Sequence, residues 1–129
     1  MKLVLDTHVL LWWTADPRQL SRSAARALRA AEELSVAAIT WYELAWLADR
    51  GRFALERPLR SWLDELSGNV LTAPLTPAVA STAAALPASF PADPADRLIY
   101  ATAIESGSRL VTKDRRLREH RHSRPVTLW

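Results

Sequence analysis

Short apolar runs alternate along the chain with stretches whose apolar residues recur at helical spacing. The predicted strands are residues 3–5, 34–39, 70–73, 109–112 and 126–128. The predicted helices are residues 7–14, 21–33, 41–50, 58–68, 77–86 and 93–107. This alternation predicts an α/β fold, an α/β/α sandwich around a central, mostly parallel sheet of four or five strands.

Local signals mark where several of these helices begin and end. Asp93 followed by Pro94 is typical of a helix start, with the acid as N-cap and proline in the first turn. Thr40 with Glu43 three residues later has the capping-box pattern, which predicts that Thr40 caps the third helix. No linker or repeat divides the chain, so residues 1–129 are expected to form a single domain.

Composition excludes several classes of protein. With no cysteine, the chain has no disulfides, zinc–thiolate sites or thiol nucleophiles. Its three glycines form neither a P-loop nor a dinucleotide-binding fingerprint. No apolar stretch approaches the roughly 20 residues that span a bilayer, and no signal-peptide pattern opens the chain. We therefore expect a cytoplasmic protein that does not bind membranes.

Four acidic residues stand where a parallel sheet would bring them together. Asp6 follows the first predicted strand and Asp114 follows the fourth, while Glu43 and Asp96 lie near helix starts. The carboxyl ends of parallel strands share one edge, where α/β proteins bind ligands. Each acid also has a local explanation, because all four could cap a helix or stabilise its first turn.

A cluster of these acids would favour a divalent metal ion. Two carboxylates about 5 Å apart repel by about 3 kcal/mol at an effective dielectric near 20, and a cation relieves that repulsion. Oxygen ligands without cysteine select a hard ion, Mg²⁺ or Mn²⁺, which activates water and stabilises charge on phosphate. The sequence thus leads to the hypothesis of metal-assisted phosphodiester hydrolysis.

Charge is distributed unevenly, although the net charge is only +3. Six Lys or Arg residues and two acids lie from residue 113 onward, against 11 basic and 12 acidic residues in the remainder. A basic segment beside an acidic site is what a polyanion would require, although a solvated charged face explains any single arginine equally well. His120 and His122, within this segment, are expected to face solvent.

The ordered motifs resemble those of the PIN-domain ribonucleases and, among them, the VapC-type toxins of toxin–antitoxin pairs. The resemblance covers nearly the whole chain, with one mild departure at Leu117, where family members often carry an aromatic residue. The matching segments are Leu3-Val4-Leu5-Asp6-Thr7, Tyr42-Glu43-Leu44-Ala45, Arg50-Gly51-Arg52, Asp93-Pro94-Ala95-Asp96-Arg97-Leu98-Ile99 and Leu110-Val111-Thr112-Lys113-Asp114.

The resemblance implies an Mg²⁺- or Mn²⁺-dependent endoribonuclease that cleaves structured RNA of the tRNA or rRNA class. It implies a homodimer silenced by a cognate VapB-type antitoxin, which packs on the toxin's helices around tryptophans such as Trp12, Trp13 and Trp46. By motif position the catalytic acids are Asp6, Glu43, Asp96 and Asp114. Asp6 and Asp96 are the expected metal ligands. Thr7, Thr112 and Asp93 are expected to support them, and Arg97 to pair with a neighbouring acid.

Two other functions remain open at this point. A metal-dependent phosphatase or phosphoacceptor domain also has an acidic α/β pocket, but this chain has a single Asp after its first strand and no Asp-x-Asp pair. A binding module whose acids accept a basic partner would need no catalysis. RNA that is bound but never shortened in the presence of Mn²⁺ would favour the binding module.

Overall fold

Every residue from 1 to 129 is described by the structure, a computed structural model. The strands are β1 (Lys2–Leu5), β2 (Glu33–Ala37), β3 (Leu71–Ala73), β4 (Arg109–Val111) and β5 (Thr127–Leu128). The helices are α1 (Thr7–Ala15), α2 (Arg22–Ala30), α3 (Ile39–Asp49), α4 (Leu59–Ser67), α5 (Pro77–Ala85), α6 (Pro94–Glu105) and α7 (Arg115–Glu119), with a 3₁₀ turn at Pro17–Gln19.

All five strands form one parallel sheet in the order β3-β2-β1-β4-β5. The chain first extends the sheet from β1 to β2 and β3, and then adds β4 and β5 on the other side of β1. Strand order therefore reverses between β1 and β4, and the carboxyl ends of these two strands are where a doubly wound sheet binds its ligand. The predicted α/β/α fold is confirmed.

Apolar side chains fill the space on both faces of the sheet. Leu3 and Leu5 of β1 belong to one buried cluster, together with residues of α1 to α4. Val4 belongs to a second cluster with residues of α6 and α7, because successive side chains of a strand point to opposite faces. Five of the six tryptophans are partly buried and pack against the first cluster, whereas Trp46 is 37% exposed. No helix has both the length and the apolar character to cross a bilayer.

Several predicted helix boundaries are confirmed by their local contacts. The Asp93 carboxylate accepts a hydrogen bond from the Asp96 amide at 3.1 Å, and the Ser21 hydroxyl accepts one from the Ala24 amide at 3.0 Å. Gly51 and Gly107 follow α3 and α6 with φ of +66°, a left-handed conformation that favours glycine. Of these boundaries, the Asp93 cap fixes the start of α6, the helix that carries Asp96.

Four local predictions were wrong. The strand predicted over residues 34–39 is Glu33–Ala37, and Ile39 already belongs to α3. Helix α2 ends at Ala30 rather than near residue 33, because Ala31 is extended and Glu33 already pairs with β1. Thr40 does not cap α3, which begins at Ile39 without a side-chain cap, and the fully buried Thr40 lies in its first turn. His120 is not simply solvent-facing, since its ring packs edge-on against Phe90 and Tyr100.

Candidate functional site

The four candidate acids line one cleft beyond the carboxyl ends of β1 and β4. This acid cleft has a volume of about 420 Å³. Its acidic residues are Asp6, Glu43, Asp93, Asp96 and Asp114, and its other lining residues are Thr7, His8, Val9, Trp12, Lys113 and Arg116. Residues from the β1–α1 loop, α1, α3, α6 and the β4–α7 loop thus meet at the switch point of the sheet, as the parallel topology predicted.

Asp6 is held by hydrogen bonds to both carboxylate oxygens. Its Oδ1 accepts from the Thr7 amide at 2.8 Å, and its Oδ2 accepts from the Thr112 hydroxyl at 2.6 Å. Its own amide donates to the Val111 carbonyl at 3.0 Å, which joins the end of β1 to β4. Thr112, fully buried, also accepts from the Asp114 amide at 3.0 Å. One threonine therefore orients two of the candidate acids.

Glu43 reaches the cleft from α3, and its carboxylate is held there by Thr7 of α1. The Thr7 hydroxyl donates to Glu43 Oε1 at 2.5 Å and lies 3.2 Å from the hydroxyl of Thr40. Thr7 and Thr40 are both buried, so their hydroxyls must find partners inside the protein. This requirement explains why Glu43 turns toward Thr7 and not back onto its own helix terminus.

Asp96 and Asp114 share one arginine on the open side of the cleft. The Arg116 Nη2 lies 3.0 Å from Asp114 Oδ2 and 3.4 Å from Asp96 Oδ2. The Arg116 amide also donates to Asp114 Oδ1 at 2.9 Å, because Asp114 caps α7. The Asp93 carboxylate, occupied with the Asp96 amide, fixes the start of α6. The carboxylates of Asp96 and Asp114 are therefore bound by an exposed cation, and no buried hydroxyl donates to them.

Three of the four candidate acids have raised pKa values, and the fourth has a lowered one. Burial raises the pKa of Asp96 to about 7, helped by repulsion from Asp93, Asp6 and Asp114. Burial also raises the pKa of Asp6 and of Glu43, although hydrogen bonds from Thr112 and Thr7 offset part of the effect. For Asp114 burial acts in the same direction, but the bonds and charge of Arg116 outweigh it and lower the pKa.

These residues fit a hard divalent cation in the chemistry of their donors. The acid cleft offers carboxylate oxygens whose pKa values are raised mainly by burial and, at Asp96 above all, by neighbouring acids, and a cation beside them would favour their charged forms. No three acidic or histidine side chains are close enough to enclose an ion by themselves. Mg²⁺ usually takes only one or two protein carboxylates and completes its shell with water and phosphate, so an open arrangement is compatible with it.

Two residues that the motifs did not single out belong to the acid cleft or its supports. Thr40 was interpreted as a helix cap, although its place three residues before Glu43 puts both on one face of α3. Arg116 was one of several basic residues near the C-terminus, and only its position two residues after the helix-capping Asp114 singles it out. The contacts of Thr40 and Arg116 with more distant residues depend on how the elements pack, which the sequence pattern does not indicate.

Arg97 does not pair with an acid, which corrects the expectation from the motif. Its guanidinium donates to five backbone carbonyls in and around the α5–α6 connection, at distances from 2.9 to 3.4 Å. These are the carbonyls of Ala83, Leu86, Pro87, Phe90 and Pro91. The side chain therefore fastens this connection to the start of α6 and so holds Asp93 and Asp96 in place.

Comparison with known proteins matches this architecture. The model of the PIN domain family matches residues 3–122. The chain is 62% identical over 127 residues to Ribonuclease VapC22 of Mycobacterium tuberculosis (strain ATCC 25618 / H37Rv), with 98% of each chain covered.

Solved structures show the same fold at low sequence identity. A toxin–antitoxin complex from Klebsiella pneumoniae has a TM-score of 0.70 at 19% identity, covering 98% of this chain and 96% of that one. VapBC2 from Rickettsia felis, bound to a DNA fragment from its promoter, has a TM-score of 0.65 at 15% identity. The match covers 88% of this chain and 89% of that one. The family match and the relative at 62% identity together place the chain in the PIN-domain family, as a VapC-type member.

Proposed function

We propose that this protein is a metal-dependent endoribonuclease, the toxin of a toxin–antitoxin pair. The observation that supports it most directly is the acid cleft, in which Asp6, Glu43, Asp96 and Asp114 line one space at the switch point of the sheet. The 62% identical relative is named a ribonuclease. Structured RNA of the tRNA or rRNA class is the substrate in this proposal, and the cytoplasm is the place of action.

Within this proposal the acids have different tasks. Asp6 and Asp96 are the metal ligands, since both line the acid cleft and carry raised pKa values that a cation would reverse. Hydrogen bonds use one lone pair on each Asp6 oxygen, and each oxygen keeps a second for the metal. Glu43 Oε1 is held by Thr7, so its Oε2 is the oxygen that accepts a proton from an attacking water.

The metal itself, Mg²⁺ or Mn²⁺, would activate a water molecule and stabilise negative charge on the scissile phosphate. The protein's contribution is to hold its acids rigidly enough to bind the ion without rearrangement. The buried hydroxyls of Thr7, Thr40 and Thr112 do this for Asp6 and Glu43. Asp93 does it for the start of α6, which carries Asp96.

The experiment that tests this proposal compares wild-type protein with Asp6→Asn and Asp96→Asn. Wild type should cleave RNA when Mn²⁺ or Mg²⁺ is added and not in EDTA. Each variant should lose at least about 100-fold in rate, because removing a metal-ligand charge removes stabilisation of the transition state. Asp49→Asn, on an exposed residue at the end of α3, is the matched control. A folded Asp6→Asn protein that cleaves at the wild-type rate would contradict the assignment.

An antitoxin partner belongs to the same proposal. An apolar groove, lined by Ile39, Tyr42, Trp46, Leu47 and Pro94, adjoins the acid cleft and shares Glu43 and Asp93 with it. Tyr42 is 65% exposed and Trp46 37%. Exposed aromatic residues beside a charged site are typical of protein-binding surfaces, and a peptide in this groove can place a basic side chain among the acids. Homodimer formation is carried over from the family resemblance.

A further inference from the structure

The basic segment after β4 is divided by the fold into parts with different contacts. Arg116 turns to the acid cleft, and the Arg124 guanidinium donates to the carbonyls of Ala103 and Ser108, which makes it part of the framework. Arg115 and Arg118 lie on another side of α7, where they line a second pocket with Arg109 and Trp129. This basic pocket (Arg109, Arg115, Arg118, Glu119 and Trp129, with Ser23, Thr127 and Leu128) is separate from the acid cleft.

The arginines of the basic pocket have more hydrogen-bonding capacity than the protein uses. Arg118 has no carboxylate within 4 Å and no side-chain hydrogen bond, and the only ion pair of Arg115 is an exposed contact with Glu119 at 3.5 Å. Arg109 donates to the Thr127 carbonyl, but its buried Nε has no acceptor. Three guanidinium side chains against one carboxylate side chain leave an excess of positive side-chain charge that an anion would neutralise.

Aromatic rings connect the two pockets. Trp12 lines the acid cleft and Trp129 lines the basic pocket, and their ring centroids are 5.9 Å apart. His8, also in the acid cleft, lies 5.8 Å from Trp12, and the Lys113 ammonium sits 5.6 Å over the Trp12 ring. Trp12 and Trp129 are partly exposed to solvent, and His8 is exposed. Flat rings interleaved with cations, in a row from one pocket to the other, form the kind of surface that binds single-stranded nucleic acid.

We propose that the basic pocket is a subsite for single-stranded RNA flanking the scissile phosphate, with bases stacked on Trp12 and Trp129 and phosphates held by Arg109, Arg115 and Arg118. The inference rests on the proposed nuclease function, since an RNA strand cleaved in the acid cleft would extend past Trp12 to the basic pocket. The subsite defines the direction in which the RNA strand leaves the acid cleft. It also favours unpaired bases, because a duplex buries the base faces that the tryptophans would contact.

Binding without cleavage provides the test. A fluorescein-labelled 12-nucleotide single-stranded RNA is titrated with the full-length protein in EDTA, and anisotropy gives Kd at several KCl concentrations. The variants are Arg115→Ala/Arg118→Ala and Trp129→Leu, the second of which keeps an apolar side chain. The control, Arg52→Ala/Arg60→Ala, removes the same charge from exposed positions after α3 and in α4, which do not line the basic pocket. Thermal melts verify that every variant is folded.

The expected result differs between the variants. Arg115→Ala/Arg118→Ala should weaken binding and lower the slope of log Kd against log[KCl] by about 1.4, or about 0.7 for each lost phosphate contact. Trp129→Leu should weaken single-strand binding about fivefold or more at an unchanged salt slope, and should leave binding of a duplex of equal length unaffected. The control should retain both the affinity and the slope of wild type.

Other outcomes would overturn the subsite. An unchanged slope in Arg115→Ala/Arg118→Ala, or an equal loss in the control, would show that these arginines do not hold RNA. Loss of affinity for a co-purifying antitoxin with unchanged RNA binding would identify a protein interface instead.

The subsite and the nuclease proposal fail in different ways. RNA that is bound as described but never shortened with Mn²⁺ would end the nuclease proposal and leave the subsite. Cleavage with an unchanged KM in Arg115→Ala/Arg118→Ala would end the subsite and leave the nuclease proposal.

Discussion

The two halves of the acid cleft hold their carboxylates by different means. In the braced half, Asp6 and Glu43 are bonded to threonine hydroxyls that are buried in the core. In the paired half, Asp96 and Asp114 share Arg116, whose side chain is 65% exposed. Buried hydroxyls cannot exchange partners without leaving a polar group unsatisfied, whereas an exposed ion pair is weak and exchanges easily. One half is thus preformed, and in the proposed metal site the other half would exchange its arginine for the ion.

The largest effect is expected from removing the brace at Thr112. Thr112→Val keeps the shape of the side chain but leaves Asp6 Oδ2 and the Asp114 amide without their hydroxyl partner. The rate of RNA cleavage should fall by about 10- to 100-fold, as is usual when a group that orients a metal ligand is lost. Steady-state kinetics should show the loss in kcat with little change in KM.

Matched threonines separate this effect from a general loss of packing. Thr102 is also buried, but its hydroxyl bonds only to the Leu98 carbonyl of its own helix, so Thr102→Val should leave kcat nearly unchanged. Thr112→Ser should restore most of the rate, since it restores the hydroxyl. Equal losses in Thr112→Val and Thr102→Val would contradict a specific brace.

An intermediate effect is expected from Arg116, the cation of the paired half. In Arg116→Gln, a metal ion no longer competes with the guanidinium for Asp96 and Asp114. Calorimetric titration of the RNA-free protein should therefore give Mn²⁺ binding that is about three- to tenfold tighter, the range that two partly exposed ion pairs allow. Arg115→Gln is the matched control, because it removes the same charge from the same helix. Arg115 pairs with Glu119 and not with the cleft acids, so its loss should change the Mn²⁺ affinity less. Weaker Mn²⁺ binding in Arg116→Gln would show that the arginine supports the ion instead.

The smallest effect concerns stability and pH. The pKa of Asp96 is about 7 in the folded protein against an ordinary value of 3.8, so the folded state holds this proton more tightly than the unfolded state. Its contribution to the free energy of unfolding is complete below about pH 4 and is lost as the pH rises through about 7. Metal-free Asp96→Asn should therefore gain a few degrees in Tm over wild type at pH 8 and little at pH 4. Asp49→Asn should show no such difference, and a pH-independent gain would argue against the raised pKa.

The fold could be predicted in outline because its causes are local. Apolar runs of three to six residues, the Asp93-Pro94 start and the glycines after α3 and α6 depend on neighbours in the chain, and nearly all the predicted elements exist. The errors at residues 31–33 and at Thr40 fell where strand pairing or side-chain burial outweighed a local preference. Arg97 was misjudged for a similar reason, since most of its carbonyl partners lie in the α5–α6 loop, which has no sequence pattern of its own.

The candidate site also has a part that the sequence predicts and a part that only the tertiary structure sets. Sequence alone determined which acids stand at strand ends and helix starts, and the rule for parallel sheets placed them at one edge. Tertiary structure alone decided which hydroxyl holds which carboxylate. Thr7 and Glu43 are 36 residues apart, and Asp6 and Thr112 are 106 apart. A buried polar group bonds to whatever partner packing brings within reach, and that partner is set by strand order and helix placement, which no local pattern records.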